Sequence, residues 1–412
     1  MCRKSFTILV IILLAFVIPV LFLSAQIVSV ENTLNQSHIV SYSPINSIPG
    51  SQVMGLYSSE NERLERQFTS QVTLAAVGDI MIHSPQFNSA YIVNKNTYDF
   101  RDHFSLISPY LEKADLVVGN LETTLTGPPY PYSGYPRFNS PPELAKNLKD
   151  SGFDLLFTAN NHSLDYGEFG IINTINHIES AGLNFVGTAR CLEEQAKGLQ
   201  ISTQNVDIAF FAYTYGTNGI PVPYGKEYLV SLLDEKQIIK DAQRAKNDHS
   251  VDVVIISLHW GLEYQRLPTE EQRELARSLI DAGVDVIIGT HPHVVQPAEK
   301  LHTENHSGLV LYSLGNFVSN QRKRYRDSGI IVYLSIEKDH ILNQSTVSLA
   351  EIEPTWVYRR SQFGPDRYSI LPVKELLNDE EKLDETGLTS QDIQRMKEVL
   401  QETEDIFWRF WY

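Results

Sequence analysis

The chain has 412 residues, and its 34 Lys and Arg residues against 50 Asp and Glu residues give a formal net charge of −16. A hydrophobic content of 42% with only 2 Cys residues is typical of a globular protein and excludes a small fold held together by disulfides. The acidic balance argues against a general nucleic-acid-binding protein, which would carry a basic surface.

The N-terminus carries an apolar segment that predicts a membrane anchor over residues 1–25. Arg3 and Lys4 precede Ser5–Ala25, a stretch without charge, which as a helix would be roughly 32 Å long, about the thickness of a bilayer core. A cleaved signal peptide is the alternative, but Leu23-Ser24-Ala25 is a poor cleavage site. The two bases should stay in the cytoplasm, which makes the chain a single-pass protein of the cell membrane with its folded part on the extracytoplasmic side.

Three regions follow the anchor. Residues 26–70 are rich in Ser, Asn and Gln and predict an extracytoplasmic tether. Residues 71–336 contain a recurrent strand pattern and predict the main domain. Residues 337–412 predict a C-terminal extension, with a strand over Gln344–Ile352 and an amphipathic helix over Thr389–Trp411.

From Val72 onward, apolar runs of strand length each end in a small group of polar residues. The clearest runs are Val72–Val77, Leu116–Val118, Leu155–Phe157, Val253–Ile256, Val286–Ile288 and Leu309–Tyr312. Helical patterns at Pro142–Asp150, Gly167–Ala181 and Glu270–Ala282 lie between some of them. This alternation predicts an α/β fold, in which ligands bind beyond the carboxyl ends of the strands. The polar groups therefore predict one shared site.

Potential metal ligands collect at these strand ends. They are Asp79, His83, Glu122, Asn161, His162, His259, His291 and His293. Imidazole, carboxylate and amide oxygen suit Zn, Mn or Fe. Two divalent ions could share such a set and activate a water for attack on phosphorus.

Each of these residues also has a structural interpretation. Asp79 could belong to an ordinary turn, His259 could be a packed core residue, and Asp165 could cap a helix. His291-Pro292-His293 is the hardest to explain in this way, because alternate residues after a buried strand can both face a cleft. The basic stretch Arg322–Arg326 could be a solvated loop or a patch that binds anions.

Six short motifs follow one another over residues 72–336. They are Val77-Gly78-Asp79-Ile80-Met81, Gly119-Asn120-Leu121-Glu122, Ala159-Asn160-Asn161-His162-Ser163-Leu164-Asp165-Tyr166-Gly167, His259-Trp260-Gly261-Leu262-Glu263, Gly289-Thr290-His291-Pro292-His293-Val294 and Ser313-Leu314-Gly315-Asn316-Phe317. Together they resemble the CapA/PgsA family of capsule and poly-γ-glutamate synthesis proteins, within the calcineurin-like metallophosphoesterase superfamily.

The resemblance implies a four-layer α/β/β/α sandwich with metals at the common edge of two facing sheets. It implies that His162 is catalytic, donating to a phosphoryl oxygen or a leaving group. The implied metal ligands are Asp79, Glu122, Asn161, His259, His291 and His293. Substrate contacts are predicted for Asn120, Asn160, Asn316 and Arg322.

Two positions depart from the superfamily pattern. Three residues separate Asp79 from His83, where the superfamily places Asp and His two apart, and Glu122 stands where it usually has Asp.

The leading hypothesis is a membrane-anchored, metal-dependent hydrolase of capsule or poly-γ-glutamate assembly, acting on a phosphoester or an anionic polymer. The alternatives are a non-catalytic accessory subunit of a polymer synthase or exporter, and a surface module that binds an anionic polymer through Arg322–Arg326.

Overall fold

The computed structural model describes residues 68–248, 250–360 and 366–411. The predicted anchor, residues 1–25, and all but the last three residues of the predicted tether, residues 26–70, lie outside this part of the chain. Within the described residues, no helix combines the length and the apolar composition needed to cross a membrane.

The described part of the chain alternates strands and helices. The strands are β1 (Thr69–Ile80), β2 (Tyr91–Ile92), β3 (Thr97–Tyr98), β4 (Leu116–Leu121), β5 (Leu155–Phe157), β6 (Asn184–Val186), β7 (Leu199–Thr203), β8 (Val206–Thr214), β9 (Val253–His259), β10 (Val286–Thr290), β11 (Ala298–His302), β12 (Ser307–Leu311), β13 (Asn316–Val318), β14 (Ser328–Asp339), β15 (Gln344–Arg360) and β16 (Arg367–Pro372). The α-helices are α1 (Ser84–Ser89), α2 (Arg101–Phe104), α3 (Ser108–Leu111), α4 (Glu143–Asp150), α5 (Gly167–Ser180), α6 (Leu192–Lys197), α7 (Glu235–Lys246), α8 (Glu270–Asp281), α9 (Val373–Asn378), α10 (Glu380–Glu385) and α11 (Ser390–Phe407).

Two mixed sheets form the centre of the fold. The first has the order β16-β15-β14-β1-β4-β5-β6, with β13 also pairing with β1. In it β1, β4, β5 and β6 are parallel, whereas β14, β15 and β16 form an antiparallel meander beside β1. The second has the order β11-β12-β10-β9-β8-β7, with parallel strands at its centre and an antiparallel strand at each edge.

The sheets pack face to face through alternate side chains of their strands. Leu74 and Val118 of the first sheet share one buried cluster with Phe210 and Ile255 of the second. The opposite face of the first sheet is covered by α2 to α5, and that of the second by α7 and α8. Because the central strands β4, β9 and β10 are buried on both faces, continuous apolar runs are the pattern that this arrangement requires. The predicted α/β class is thus confirmed as a mixed α/β fold with two facing mixed sheets.

The six predicted strands and the three predicted helices are all confirmed, with ends that differ by a few residues. The C-terminal strand and helix are confirmed as β15 and α11. The predicted boundary after residue 336 falls inside β14, and β15 and β16 extend the first sheet. Strand β8 was not among the predicted strands, although it lies near the centre of the second sheet.

A buried acid on β15 gives the C-terminal packing a pH dependence. Glu353 is 1% exposed, and its Oε1 accepts the backbone N–H of Lys374 at 2.8 Å. Burial, only partly opposed by this hydrogen bond and that from Glu375, raises the pKa of Glu353 to about 8. The unfolded chain releases this proton at a lower pH, so the free energy of unfolding should fall as pH rises from about 4.5 toward 8.

We therefore expect Glu353→Gln to reduce the loss of thermal stability between pH 6 and pH 9, because glutamine keeps the acceptor for Lys374 and does not ionise. The measurement is the melting temperature at both pH values. Glu351→Gln, an exposed position on the same strand, is the matched control and should follow the wild type. An unchanged pH dependence in Glu353→Gln would contradict the assignment.

Candidate metal centre

The carboxyl ends of parallel strands from both sheets meet at one edge, where their polar residues form a buried cluster. β1 and β4 of the first sheet and β9 and β10 of the second contribute their last residues or those directly after them, and the loop after β5 contributes the rest. Its members are at most 4% exposed. We define the buried cluster as Asp79, Asn120, Glu122, Asn160, Asn161, His162, His259, His291 and His293.

Glu122 lies at the centre of the buried cluster. It is 0% exposed, and neither carboxylate oxygen accepts a hydrogen bond from the described residues. Its Oε1 lies 3.7 Å from His259 Nε2 and 3.8 Å from His293 Nε2. Burial, and then the neighbouring Asp79, raise the pKa of Glu122 well above its usual value. A carboxylate buried without donors is costly, and a cation would relieve that cost.

Asp79 is held from two sides. Its Oδ1 accepts a hydrogen bond from Asn120 Nδ2 at 2.8 Å, and its Oδ2 lies 3.0 Å from His293 Nδ1. The preceding Gly78 allows β1 to pass the Gly315 carbonyl, which a Cβ atom at position 78 would approach to 2.0 Å. The Asp79 N–H donates to that same carbonyl at 2.9 Å. This close backbone approach brings the end of β1 against the chain that follows β12.

His259 is fixed by contacts of both ring nitrogens. Nδ1 lies 2.9 Å from Thr290 Oγ1, and Nε2 lies 3.0 Å from Asn161 Oδ1. Burial, followed by the neighbouring His291 and His293, lowers the pKa of His259 well below its usual value. A histidine that ligates a metal is usually oriented by a hydrogen bond at its other ring nitrogen, and the contact with Thr290 can serve this purpose.

The turn after β10 holds two histidines in an unusual backbone conformation. His291 has φ 96° and His293 has φ 56°, values that non-glycine residues rarely adopt and that often mark functional sites. Burial lowers the pKa of His291 to about 4, so its ring is neutral and a nitrogen lone pair is available. Within the described chain, His291 Nδ1 has no hydrogen-bond partner.

Two sets of three residues bring ligand atoms within 4.8 Å of one another. One is Glu122, His291 and His293, and the other is Asp79, Glu122 and His259. Glu122 belongs to both. Nitrogen and oxygen donors of this kind fit a divalent cation, and the unpartnered carboxylate of Glu122 supports the same conclusion. The buried cluster therefore has the composition and geometry of a metal site.

His162 forms a pair with Asp165. The His162 Nδ1 lies 2.8 Å from Asp165 Oδ2, which also accepts the Phe138 N–H at 2.6 Å. Arg137 Nε donates to the Asp165 carbonyl at 2.7 Å. Helix α5 begins at Gly167 after Tyr166, so the interpretation of Asp165 as its cap is wrong. Asp165 instead sets the orientation of the His162 ring.

The residues predicted to contact substrate fall into three groups. Asn120 and Asn160 make internal hydrogen bonds, Asn160 Nδ2 donating to the Leu121 carbonyl at 2.7 Å. Asn316 is buried below the His291–His293 turn, and its Nδ2 lies 3.4 Å from the His293 carbonyl. Arg322 lies apart, where its Nη1 donates to the Val357 carbonyl of β15 at 2.8 Å.

Two tyrosines at the mouth of the buried cluster were not predicted as site residues. The Tyr215 ring lies 4.6 Å from the His291 ring, and the Tyr264 ring lies 6.0 Å from the His293 ring. Tyr215 directly follows β8, so a prediction that included this strand would also have indicated Tyr215 as a candidate at its carboxyl end.

The candidate His83 lies outside both ligand sets, and its Nδ1 accepts the Asn320 N–H at 3.2 Å.

Two of the solved structures that are similar to this chain have low sequence identity to it and TM-scores below 0.5. A phosphatase from Mycoplasma pneumoniae has 15% identity and a TM-score of 0.41, over 69% of this chain and 93% of that one. The calcineurin-like phosphoesterase YfkN from Bacillus subtilis has 15% identity and a TM-score of 0.38, over 81% of this chain and 98% of that one.

Curated relatives are more similar in sequence. The capsule biosynthesis protein CapA of Bacillus anthracis is 33% identical over 66% of this chain, and the alignment spans 64% of that protein, slightly less than two thirds. The PGA biosynthesis protein CapA of Bacillus subtilis strain 168 is 31% identical over 67% of this chain and 70% of its own length. Residues 73–321 match the model of the bacterial capsule synthesis protein PGA_cap. The chain therefore belongs to the PGA_cap family of bacterial capsule synthesis proteins.

Proposed function

We propose that this protein is a metal-dependent, phosphoesterase-type hydrolase that acts in capsule or poly-γ-glutamate assembly. The observation that carries the proposal is the buried carboxylate of Glu122, which accepts no hydrogen bond from the described residues and lies within 3.8 Å of His259 Nε2 and His293 Nε2. Family membership supports the biological setting, and the two ligand sets that share Glu122 support two Mn, Zn or Fe ions.

Most residues of the buried cluster have a role in this proposal. Asp79 and His259 would hold one ion, His291 and His293 the other, with Glu122 between them. Asn161, whose Oδ1 faces His259 Nε2, would complete the ligand set. Divalent cations in such a site supply Lewis-acid polarisation of a phosphoryl group and lower the pKa of water.

His162 is the proposed proton donor. Its Nδ1 is held by Asp165, so the ring in its protonated form would donate the Nε2–H to a phosphoryl oxygen or to the leaving-group oxygen. Asn120 would keep Asp79 in place, because its Nδ2 donates to Asp79 Oδ1. Burial of these groups excludes bulk water and strengthens their interactions with a bound anion.

We further propose that residues 1–25 anchor the chain in the cell membrane and that the domain faces the extracytoplasmic side. The charge distribution supports this, since Arg3 and Lys4 precede an uncharged segment of bilayer length. Subunits of a polymer synthase or exporter are the proposed partners, because an anchored enzyme of polymer assembly would act where the polymer is made or released.

A non-catalytic accessory role is the second candidate. It is favoured by the position of His83, which contacts the Asn320 backbone and lies outside both ligand sets. A relative from Mycobacterium tuberculosis, 24% identical over 43% of this chain, is named as a probable polyglutamine synthesis accessory protein. The two roles differ in whether the buried cluster is needed for polymer formation.

Metal binding should depend on Glu122. We expect the wild-type chain, purified in detergent, to bind divalent metal and to gain about 2.7 kcal/mol of stability at a Mn²⁺ concentration of about 100 times Kd. Glu122→Gln should lose this gain, because it replaces the carboxylate shared by both ligand sets with a neutral amide.

The measurements are metal content by mass spectrometry and melting temperature with Mn²⁺ or EDTA. Glu112→Gln, an exposed position, is the control and should behave as the wild type. A Mn²⁺ response that is equal in Glu122→Gln and the wild type would contradict the proposed centre.

The role of His162 can be separated from metal binding by changing the leaving group. We expect His162→Ala to lower kcat on diphenyl phosphate by about 100-fold or more, since general acid catalysis contributes about 10² to 10⁴. The loss on bis(4-nitrophenyl) phosphate should be much smaller, because nitrophenolate leaves without protonation. The exposed position His302→Ala serves as the control. Equal losses on both substrates would argue against His162 as the acid.

The accessory role predicts a different result in cells. If the protein is a hydrolase, the double variant His162→Ala, His291→Ala should fail to restore polymer production to a strain that lacks this protein, although it reaches the membrane at the wild-type level. The measurement is polymer released per cell. Full restoration would contradict the hydrolase and support the accessory subunit.

A further inference from the structure

We propose that Arg326 binds an oxyanion of the substrate, a phosphoryl or carboxylate group, at the mouth of the buried cluster. The inference deepens the proposed function and rests on it for the identity of the ligand as substrate. It selects one residue from a basic stretch of four, Arg322, Lys323, Arg324 and Arg326.

Arg326 is held against the mouth of the buried cluster by Tyr264. The guanidinium carbon lies 3.2 Å from the centre of the Tyr264 ring, and one aromatic ring thus separates it from His293. The Tyr264 N–H donates to the Pro292 carbonyl at 2.8 Å. Tyr264 is therefore tied to the same turn that carries the two histidines.

Stacking leaves the hydrogen-bonding groups of Arg326 available. A guanidinium that lies on an aromatic ring uses its face, whereas its five N–H groups point outward in its plane. Among the ion pairs of residues 68–248, 250–360 and 366–411, none includes Arg326. A stacked guanidinium in this state is suited to bidentate binding of a phosphate or carboxylate.

The backbone of Arg326 is fixed as well. Asn316 Nδ2 donates to the Arg326 carbonyl at 2.8 Å and lies 3.4 Å from the His293 carbonyl. Asn316 is 0% exposed, so the link is rigid. The Asn316 amide therefore connects Arg326 to the turn that carries His291 and His293.

The other two arginines of the stretch are engaged with the C-terminal part of the fold. Arg322 donates to the Val357 carbonyl of β15. Arg324 pairs with Glu402 of α11. These contacts anchor the loop at one end and leave Arg326 at the end that faces the buried cluster.

The charge of the chain makes such a local cation useful. A formal net charge of −16 repels a polyanion from most of the surface. Metal ions would attract an anion within the buried cluster, and Arg326 would extend that attraction to a second group just outside it. The substrate class that fits is a molecule that carries a second phosphoryl or carboxylate group beside the group that reacts.

The test is calorimetric titration of the full chain in detergent with inorganic phosphate and, separately, with glutarate, before and after loading with Mn²⁺. We expect Arg326→Gln to weaken the binding of at least one of these anions by about tenfold or more, as for loss of a charge-assisted hydrogen bond. Arg324→Gln, a matched change in the same loop, should alter binding less than about twofold.

Each outcome bears on the inference. Loss of phosphate binding alone identifies a phosphoryl group, and loss of glutarate binding alone identifies a carboxylate. Unchanged binding of both anions by Arg326→Gln, or no binding of either anion by the wild type, overturns the inference. If Mn²⁺ does not bind but the Arg326 effect persists, the proposed hydrolase fails and the anion site stands.

Tyr264 provides a second check as a positioning residue. Tyr264→Phe keeps the ring and should keep anion binding within about twofold, whereas Tyr264→Leu removes the stacking surface and should weaken it several-fold. Melting temperatures near the wild-type value for both variants exclude unfolding. Equal binding by the two variants would show that stacking does not position Arg326.

Discussion

The structure depends on a buried carboxylate that accepts no hydrogen bond from the part of the chain that the structure describes. Glu122 is 0% exposed and directly follows β4, and its Oε1 lies 3.7 Å from His259 Nε2 and 3.8 Å from His293 Nε2. Burial in this position is expensive unless a cation is present. The arrangement of the surrounding strands, turns and second-layer hydrogen bonds is consistent with a scaffold built to hold that cation.

Two facing sheets allow ligands far apart in sequence to meet at one edge. Gly78 lets β1 approach the Gly315 carbonyl, and Gly289 lets β10 approach the Tyr312 carbonyl, each at a distance that a Cβ atom would not permit. The strained backbone of His291 and His293 is held by its neighbours. The same edge presents Tyr264 and Arg326, so the proposed anion site and the proposed metal site would share one support.

Much of the fold could be predicted from the chain because strands buried on both faces leave long apolar runs. The apolar run Val286–Ile288 and the polar residues that follow it therefore indicated a strand and then a turn that carries candidate metal ligands. The meander β14-β15-β16 was harder to place, because the residue pattern of a strand does not reveal which sheet the strand extends. Asp165 and Tyr264 were missed as site residues since their roles arise from contacts made only in three dimensions. Arg326 could not be told from Arg322 for the same reason.

The account rests on a cation at Glu122, and anomalous X-ray scattering from crystals grown with Mn²⁺ tests this most directly. Data collected at the manganese absorption edge should show an anomalous peak in contact with the Glu122 carboxylate, flanked by His259 or by the His291–His293 pair. A map without a peak at Glu122, in which protein or water donors satisfy both carboxylate oxygens, would contradict the account.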